Sequence, residues 1–159
     1  MAIRTILVPT DFSTHSSAAL DQAIELARAL SARLVLLHSY WINLSMAAAD
    51  FWTVPPDFME QMRKAAILEL EGLAKRALQA GATCETRVSA DPTTSAILDL
   101  AEALPADLIV MGTHGHTGLR HVVLGSTAER VVRLAPCPVL TVKDHRAAEI
   151  EQSAPASSR

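Results

Sequence analysis

Cysteine is nearly absent from this chain. Of its 159 residues only Cys84 and Cys137 carry thiols, and they lack the C-x-x-C spacing of a zinc or redox centre. Neither a disulfide framework nor a metal site built on cysteine is expected, and both thiols are read as buried in the core. Positive charge is not in excess either: the formal net charge is −3, which argues against a nucleic-acid partner, because such proteins present surplus Lys and Arg to phosphates. No apolar run approaches the ~20 residues that a membrane span needs. Met1 to Ile6 is too short an apolar start for a signal peptide, so a cytoplasmic address with no membrane partner is expected. Two nucleotide fingerprints are missing as well. There is no G-x-x-x-x-G-K-[ST] loop and no G-x-G-x-x-G after the first strand-like segment, which excludes a P-loop and a dinucleotide-binding turn.

What is present has a clear rhythm. Half of the residues are apolar and 19% are charged, the balance of a globular domain of this length with one aliphatic core. Continuous apolar runs at Ile3 to Pro9, Arg33 to Ser39, Thr83 to Val88, Leu108 to Met111 and Val139 to Val142 read as strands covered on both faces. Between them lie stripes at helical spacing: Leu20, Ile24, Ala27 and Leu30; Met59, Met62, Ala66, Leu70, Leu73 and Ala77; Ile97, Leu100, Ala101 and Leu104; and a fourth helix from Ser126 and Thr127 onward. Ser13 or Thr14, Asp57 and Asp91 are candidate caps for the first three, and Gly81 is a candidate stop for the second. Strands alternating with helices through short joins make right-handed βαβ units. The expected fold is therefore α/β, a doubly wound five-stranded parallel sheet with helices on both faces. Residues 1–143 form the expected domain, and 144–159, rich in Ala, Ser and Glu without an apolar stripe, a disordered tail. Five of the six aromatic residues gather at positions 40–58, a segment with no period.

The chain is organised around Gly112-Thr113-His114-Gly115-His116-Thr117-Gly118-Leu119-Arg120-His121-Val122-Val123-Leu124-Gly125-Ser126, which holds four of its six glycines. A strand precedes this stretch and a helix follows it, so the loop is where the backbone needs positive φ or close approach to another group. An anion fits, since the first turn of a helix presents unpaired N–H groups and the positive end of the macrodipole. Ser126-Thr127-Ala128-Glu129 also fits a capping box, which would satisfy those donors without a ligand.

The spacing of Gly112, Gly115, Gly125 and Ser126 follows G-x2-G-x9-G-S/T and resembles the nucleotide-binding signature of the universal stress protein family. Ile6-Leu7-Val8-Pro9-Thr10-Asp11, Leu36-Leu37-His38 and Pro138-Val139-Leu140-Thr141-Val142 extend the resemblance over residues 3–143. It implies the strand order 3-2-1-4-5, with a crevice between strands one and four. It also implies an adenine nucleotide, ATP, bound by Pro9, Thr10, Asp11, Ser39, Met111, Gly112, Gly115, Gly125, Ser126 and Thr127. Pro9 and Thr10 would form the cleft wall. Asp11 would meet ribose or a metal, its alternative role being to cap the following helix. Ser39, through its backbone, occupies the family's adenine-contacting position, where an apolar residue is common. Arg120 is a phosphate partner or an exposed loop arginine. Any divalent ion such as Mg²⁺ would be held by phosphates and water, and no protein metal site is expected.

The resemblance further implies a regulatory role in stress response and a homodimer through Val139 to Val142. No nucleophile or base suited to rapid phosphoryl transfer is visible, so at most slow ATP hydrolysis is expected. The alternative is a dimeric interaction module of the same fold that binds no nucleotide. A receiver-type phospho-acceptor domain ranks below both, for want of paired acids at the first strand. His114, His116 and His121 do not make a convincing metal set, and His38, inside an apolar strand, reads as a satisfied core histidine.

Overall fold

A computed structural model describes residues 2–41, 57–115 and 124–144. Along the chain these form β1 (Thr5–Pro9), α1 (Thr14–Leu30), β2 (Arg33–Ser39), α2 (Phe58–Gln79), β3 (Thr83–Ser89), α3 (Thr93–Ala103), β4 (Leu108–Gly112), α4 (Ser126–Leu134) and β5 (Val139–Val142). The strands build one five-stranded sheet in the order β3-β2-β1-β4-β5, with all four pairings parallel. This is the order implied by the family resemblance. Arg120, His116, His121, Phe51, Trp52 and most of the proposed tail lie outside the described residues.

Strand alternation divides the core in two. Ile6, Val8, Leu34, Leu36 and Val110 face Leu20, Ile24, Leu70 and Ala77 of α1 and α2. Leu7, Val35, Leu37, Ile109 and Met111 face Ile97, Ala101, Ala128 and Val131 of α3 and α4. The central strands are apolar on both sides because both sides carry helices. Ala recurs on the helix faces since a small side chain lets a helix lie close to the sheet. No helix among the described residues is long and apolar enough to cross a membrane.

The helix ends show which local signals survive. Ser13 caps α1, accepting from the N–H of Ser16 at 3.2 Å. Gly81, at φ 86°, turns the chain out of α2. Asp57 stands at the start of α2, but its carboxylate accepts from Gln61 Nε2 (2.5 Å) instead of capping the backbone. Asp91 does not cap α3: Pro92 takes the N-cap position, and the Asp91 carboxylate accepts from Ser89 Oγ at 2.8 Å. The two cysteines are free thiols and only half-buried. Burial, helped by the charge of Glu85, pushes the Cys84 thiol up to about 11. Burial and Asp107 also raise the Cys137 thiol, so both stay protonated at neutral pH and inert as nucleophiles.

At the amino ends of the strands Asp107 closes the β1 and β4 pairing. Its Oδ2 accepts from the N–H groups of Arg4 (2.9 Å) and Thr5 (3.0 Å). These two bonds, with Arg4's charge, hold the carboxyl below its ordinary value of 3.8. A carboxyl with a lowered folded pKa contributes stability that is present above the unfolded pKa and is lost as pH falls through the folded one. Asp107→Ala is therefore expected to lower the melting temperature at neutral pH, with wild type and variant converging in acid. A constant difference across that pH range would show that the charge is not involved.

Candidate functional site

The strand order reverses at β1, which pairs with β2 on one side and β4 on the other. Helices leave the carboxyl ends of β1 and β4 toward opposite faces of the sheet, and the ends part to leave a crevice. A cavity of about 540 Å³ opens there, lined by all ten residues that the family resemblance implies for a nucleotide: Pro9, Thr10, Asp11, Ser39, Met111, Gly112, Gly115, Gly125, Ser126 and Thr127. Segments about a hundred residues apart thus share one cleft.

The β1 end is tightly organised by short polar bonds. Thr10 Oγ1 accepts from the N–H of Phe12 (3.0 Å) and donates to Ser16 Oγ (3.1 Å). Asp11 Oδ1 accepts from Ser13 N–H (3.1 Å) and Ser13 Oγ (2.6 Å). Asp11 therefore braces the turn, while the cap itself is Ser13. Phe12 adopts φ 64°, a region that a bulky residue enters only when its surroundings hold it there. Its ring lies 4.3 Å from that of His38, whose Nδ1 pairs with the Thr10 carbonyl at 2.9 Å. His38 is satisfied, as expected, and its role is to fix the turn that carries Asp11.

The glycines act through close approach. Among the described residues Gly81 is the one glycine with positive φ, so the cleft glycines are not there for left-handed backbone. A Cβ on Gly115 would overlap Asp11 Oδ2, which places the loop directly against the carboxylate. A Cβ on Gly112 would meet the His15 carbonyl carbon and oxygen at 2.9 and 3.0 Å, so this glycine lets α1 pack on the end of β4. Gly125 donates its N–H to the Thr113 carbonyl at 2.8 Å, with Thr113 O only 3.2 Å from where a Cβ would be.

The capping box expected at Ser126 does not form. Gly125 is the N-cap, no side-chain bond closes the helix start, and Ser126 and Thr127 are the first two helical residues. Having no side chain, Gly125 leaves the first-turn donors of α4 uncapped at the cleft. His114 also lines the cleft. Its Nδ1 pairs with Thr113 Oγ1 (3.1 Å), and its ring centre is 5.7 Å from that of His15. Among the described residues no three His, Cys, Asp or Glu side chains gather in a metal-binding cluster.

The opposite end of the cleft has another character. Leu37, Ile97 and Met111 are 3%, 1% and 6% exposed and form an apolar floor. Ser39 and Thr93 stand at its rim, with Ser39 Oγ donating to the Asp91 carbonyl at 2.7 Å. Thr93, Ile97, Ser16 and Glu129 were not anticipated as lining residues. A topological rule would have found three of them: in parallel βαβ units every helix begins at the pole where the strands end.

A family model described as the universal stress protein family matches residues 2–143. The universal stress protein YxiE of Bacillus subtilis (strain 168) is 32% identical over 144 residues, covering 87% of this chain and 97% of the relative. The structure of universal stress protein UspA from Lactobacillus plantarum is similar at a TM-score of 0.73 and 27% identity, covering 89% of this chain and 99% of that one. A universal stress protein solved in complex with cAMP matches at a TM-score of 0.64 and 29% identity, over 89% of this chain and 98% of that chain. With its sheet order, its crevice between β1 and β4 and this match over nearly its whole length, the chain belongs to the universal stress protein family.

Proposed function

We propose that this protein is an adenine nucleotide-binding regulator of the stress response, with ATP as its ligand, acting in the cytoplasm through the domain formed by residues 1–143. The observation that carries this reading is the polarity of the cleft. One end offers the uncapped first turn of α4 beside a glycine-lined loop, the chemistry of a phosphate cradle. The other offers the buried floor of Leu37, Ile97 and Met111 under a hydroxyl rim, the chemistry of a flat heterocycle with one polar edge. Asp11 lines the same cleft with its carboxylate against Gly115, and a ribose hydroxyl would donate to it. The universal stress protein solved with cAMP supports an adenine nucleotide as the class of ligand.

The described lining contains Asp11 and Glu129 but neither Lys nor Arg. A triphosphate there would be held by backbone dipoles, with a divalent cation such as Mg²⁺ carried in on its phosphates. No nucleophile or base suited to rapid phosphoryl transfer is visible in the sequence, and at most slow hydrolysis belongs to this reading. Mass spectrometry of nucleotide released on denaturation, followed by calorimetry with ATP, tests the reading; absence of ATP binding would sink it.

The proposal includes a homodimer through β5. The two sheet edges differ: β3 presents Glu85, paired with Arg33 and Arg87 at 2.8 Å each, whereas β5 is Val-Leu-Thr-Val with Leu140 38% exposed. Charge protects the first edge, and nothing in the second strand's sequence does. The carbonyls of Pro138 and Val142 accept from Ile109 and Thr113. Leu140, in phase with them, faces β4 too, so Val139 and Thr141 direct their backbone groups outward. Thr141→Pro is accordingly expected to give monomers in sedimentation while keeping the β4 ladder. A wild type that sediments as a monomer at all concentrations would refute the pairing.

A further inference from the structure

We infer that the pole of the sheet opposite the nucleotide cleft is a docking surface for an acidic, leucine-bearing segment of a partner protein, received by Arg4, Arg28 and Arg33. Parallel βαβ units gather the starts of the strands and the ends of the helices at this pole. Arg4 precedes β1, Arg33 opens β2, Arg28 lies in the last turn of α1 and Gly81 follows α2. A second cavity of about 630 Å³ lies among them, lined by all three arginines with Ser31, Gly81 and Thr83. Arg28 Nε is 4.0 Å from where a Cβ on Gly81 would be, so the arginine reaches from the end of α1 to the end of α2. The surface is on the β3 side of the sheet, clear of β5 and of the cleft.

Its charge is local. The whole chain carries a formal −3, yet the described lining holds three arginines and no Asp or Glu. Two acids stand beside it, and both are engaged. Glu85 takes Arg33 Nη1 at 2.8 Å and gives its other oxygen to Arg87, while Asp107 Oδ2 accepts from the N–H groups of Arg4 and Thr5. Among the described residues neither Arg4 nor Arg28 forms an ion pair, and Arg33 keeps Nη2 beyond its bonds to Glu85 and Thr5 Oγ1. The helix-end carbonyls that could compete for the guanidiniums are also taken: those of Ala27, Ala77 and Leu78 accept from Ala32, Ala82 and Gly81 at 2.9, 3.0 and 2.9 Å. What the pole offers is therefore guanidinium forks, which match carboxylates. Leu30 and Leu78, 45% and 55% exposed, stand at the ends of the same two helices. Polyphosphate or nucleic acid would engage the arginines and leave the leucines in water. An anionic bilayer would engage both but repel the rest of a negatively charged chain. A peptide carrying carboxylates and leucines satisfies both features, and arginine beside apolar anchors is the composition of a protein interface.

The probe is a short fluorescein-labelled peptide of glutamate and leucine, read by anisotropy on the full chain. A glutamate and serine peptide, inorganic polyphosphate, and vesicles of equal parts phosphatidylserine and phosphatidylcholine are the comparisons. The leucine-bearing peptide is expected to bind best, and less tightly as salt is raised. Arg28→Glu is expected to weaken it about tenfold, and Arg28→Gln and Leu30→Ser to weaken it by smaller factors. Lys64→Glu makes the same change in net charge near the other end of α2, where Lys64 is 3.9 Å from Glu60, and is expected to bind as wild type. Melting each variant without peptide shows that its fold is kept. Equal losses in Arg28→Glu and Lys64→Glu would overturn the surface, as would tighter binding of the serine peptide, polyphosphate or vesicles. Failure of the wild type to bind the leucine-bearing peptide would overturn it too.

Discussion

Aspartate in place of Ser126 is expected to weaken ATP binding by roughly fivefold to several hundredfold while leaving the melting temperature unchanged or slightly higher. Ser126 is the exposed first residue of α4, next to the glycine that leaves the helix start uncapped. A carboxylate in a first turn gains about 0.3–1 kcal/mol from the macrodipole, so the fold of the unliganded protein does not suffer. The same charge about 4 Å from a phosphate oxygen costs about 1 kcal/mol in water and about 4 kcal/mol at an effective dielectric constant near 20. That range corresponds to roughly fivefold through several hundredfold in affinity. Because the two effects have opposite signs, calorimetry with ATP and a melt without nucleotide separate the site from the scaffold. Ser126→Asn, similar in size to aspartate but neutral, is the control expected to bind nearly as wild type. Equal affinity in wild type and Ser126→Asp would remove α4 from the phosphate site.

Gly112→Val is expected to fail at the level of the fold. A first side-chain carbon at this position would already stand 2.9 Å from the His15 carbonyl carbon and 3.1 Å from its Cβ, and valine adds two further methyl groups. Two of the three atoms it meets are backbone and the third is the Cβ fixed to it, in the first turn of α1, which is held by the Ser13 cap and cannot swing aside as the end of a side chain would. Overpacking typically costs 1–3 kcal/mol. With β-branching against a fixed backbone, a loss of about 3 kcal/mol and a fall of roughly 6–12 °C in melting temperature are expected. Gly115→Ala is the informative contrast, because its methyl meets the Asp11 carboxylate, a side chain able to rotate. Its loss should show in nucleotide affinity. A Gly112→Val protein that melts like wild type would disprove the packing role.

That contrast shows where sequence reasoning stops. The glycine spacing pointed to residues that line the cleft, but spacing does not say what a glycine approaches, and Gly112 approaches a helix nearly a hundred residues earlier in the chain. Strands and helices were legible because burial on both faces leaves long aliphatic runs and 3.6-residue stripes, as in Leu34 to Leu37 and Leu20 to Ala27. Alternation alone did not order the strands; the family resemblance supplied that. Caps were legible at Ser13, whose hydroxyl accepts from the N–H of Ser16 while donating to Asp11 Oδ1. They misled at Asp91 and Ser126, where a competing hydroxyl or a preceding glycine decided the geometry. Thr93 was invisible because its neighbour Ser39 lies across the sheet, 54 residues away. Asp107 was hidden for the same reason, since its partners lie in the first residues of the chain.

The charged pair chemistry on β3 has a consequence for stoichiometry. A chain with two adhesive edges can add copies head to tail without limit, each new β3 receiving the next β5, and the product is a fibre. If copies pair through β5 as proposed, Glu85 and Arg87 on the other edge would leave each molecule with one adhesive edge. Such pairing would consume that edge on both participants, and growth would terminate at two copies related by a twofold axis. Neutralising that border, not strengthening β5, is the change that would turn a self-limiting assembly into an open-ended one.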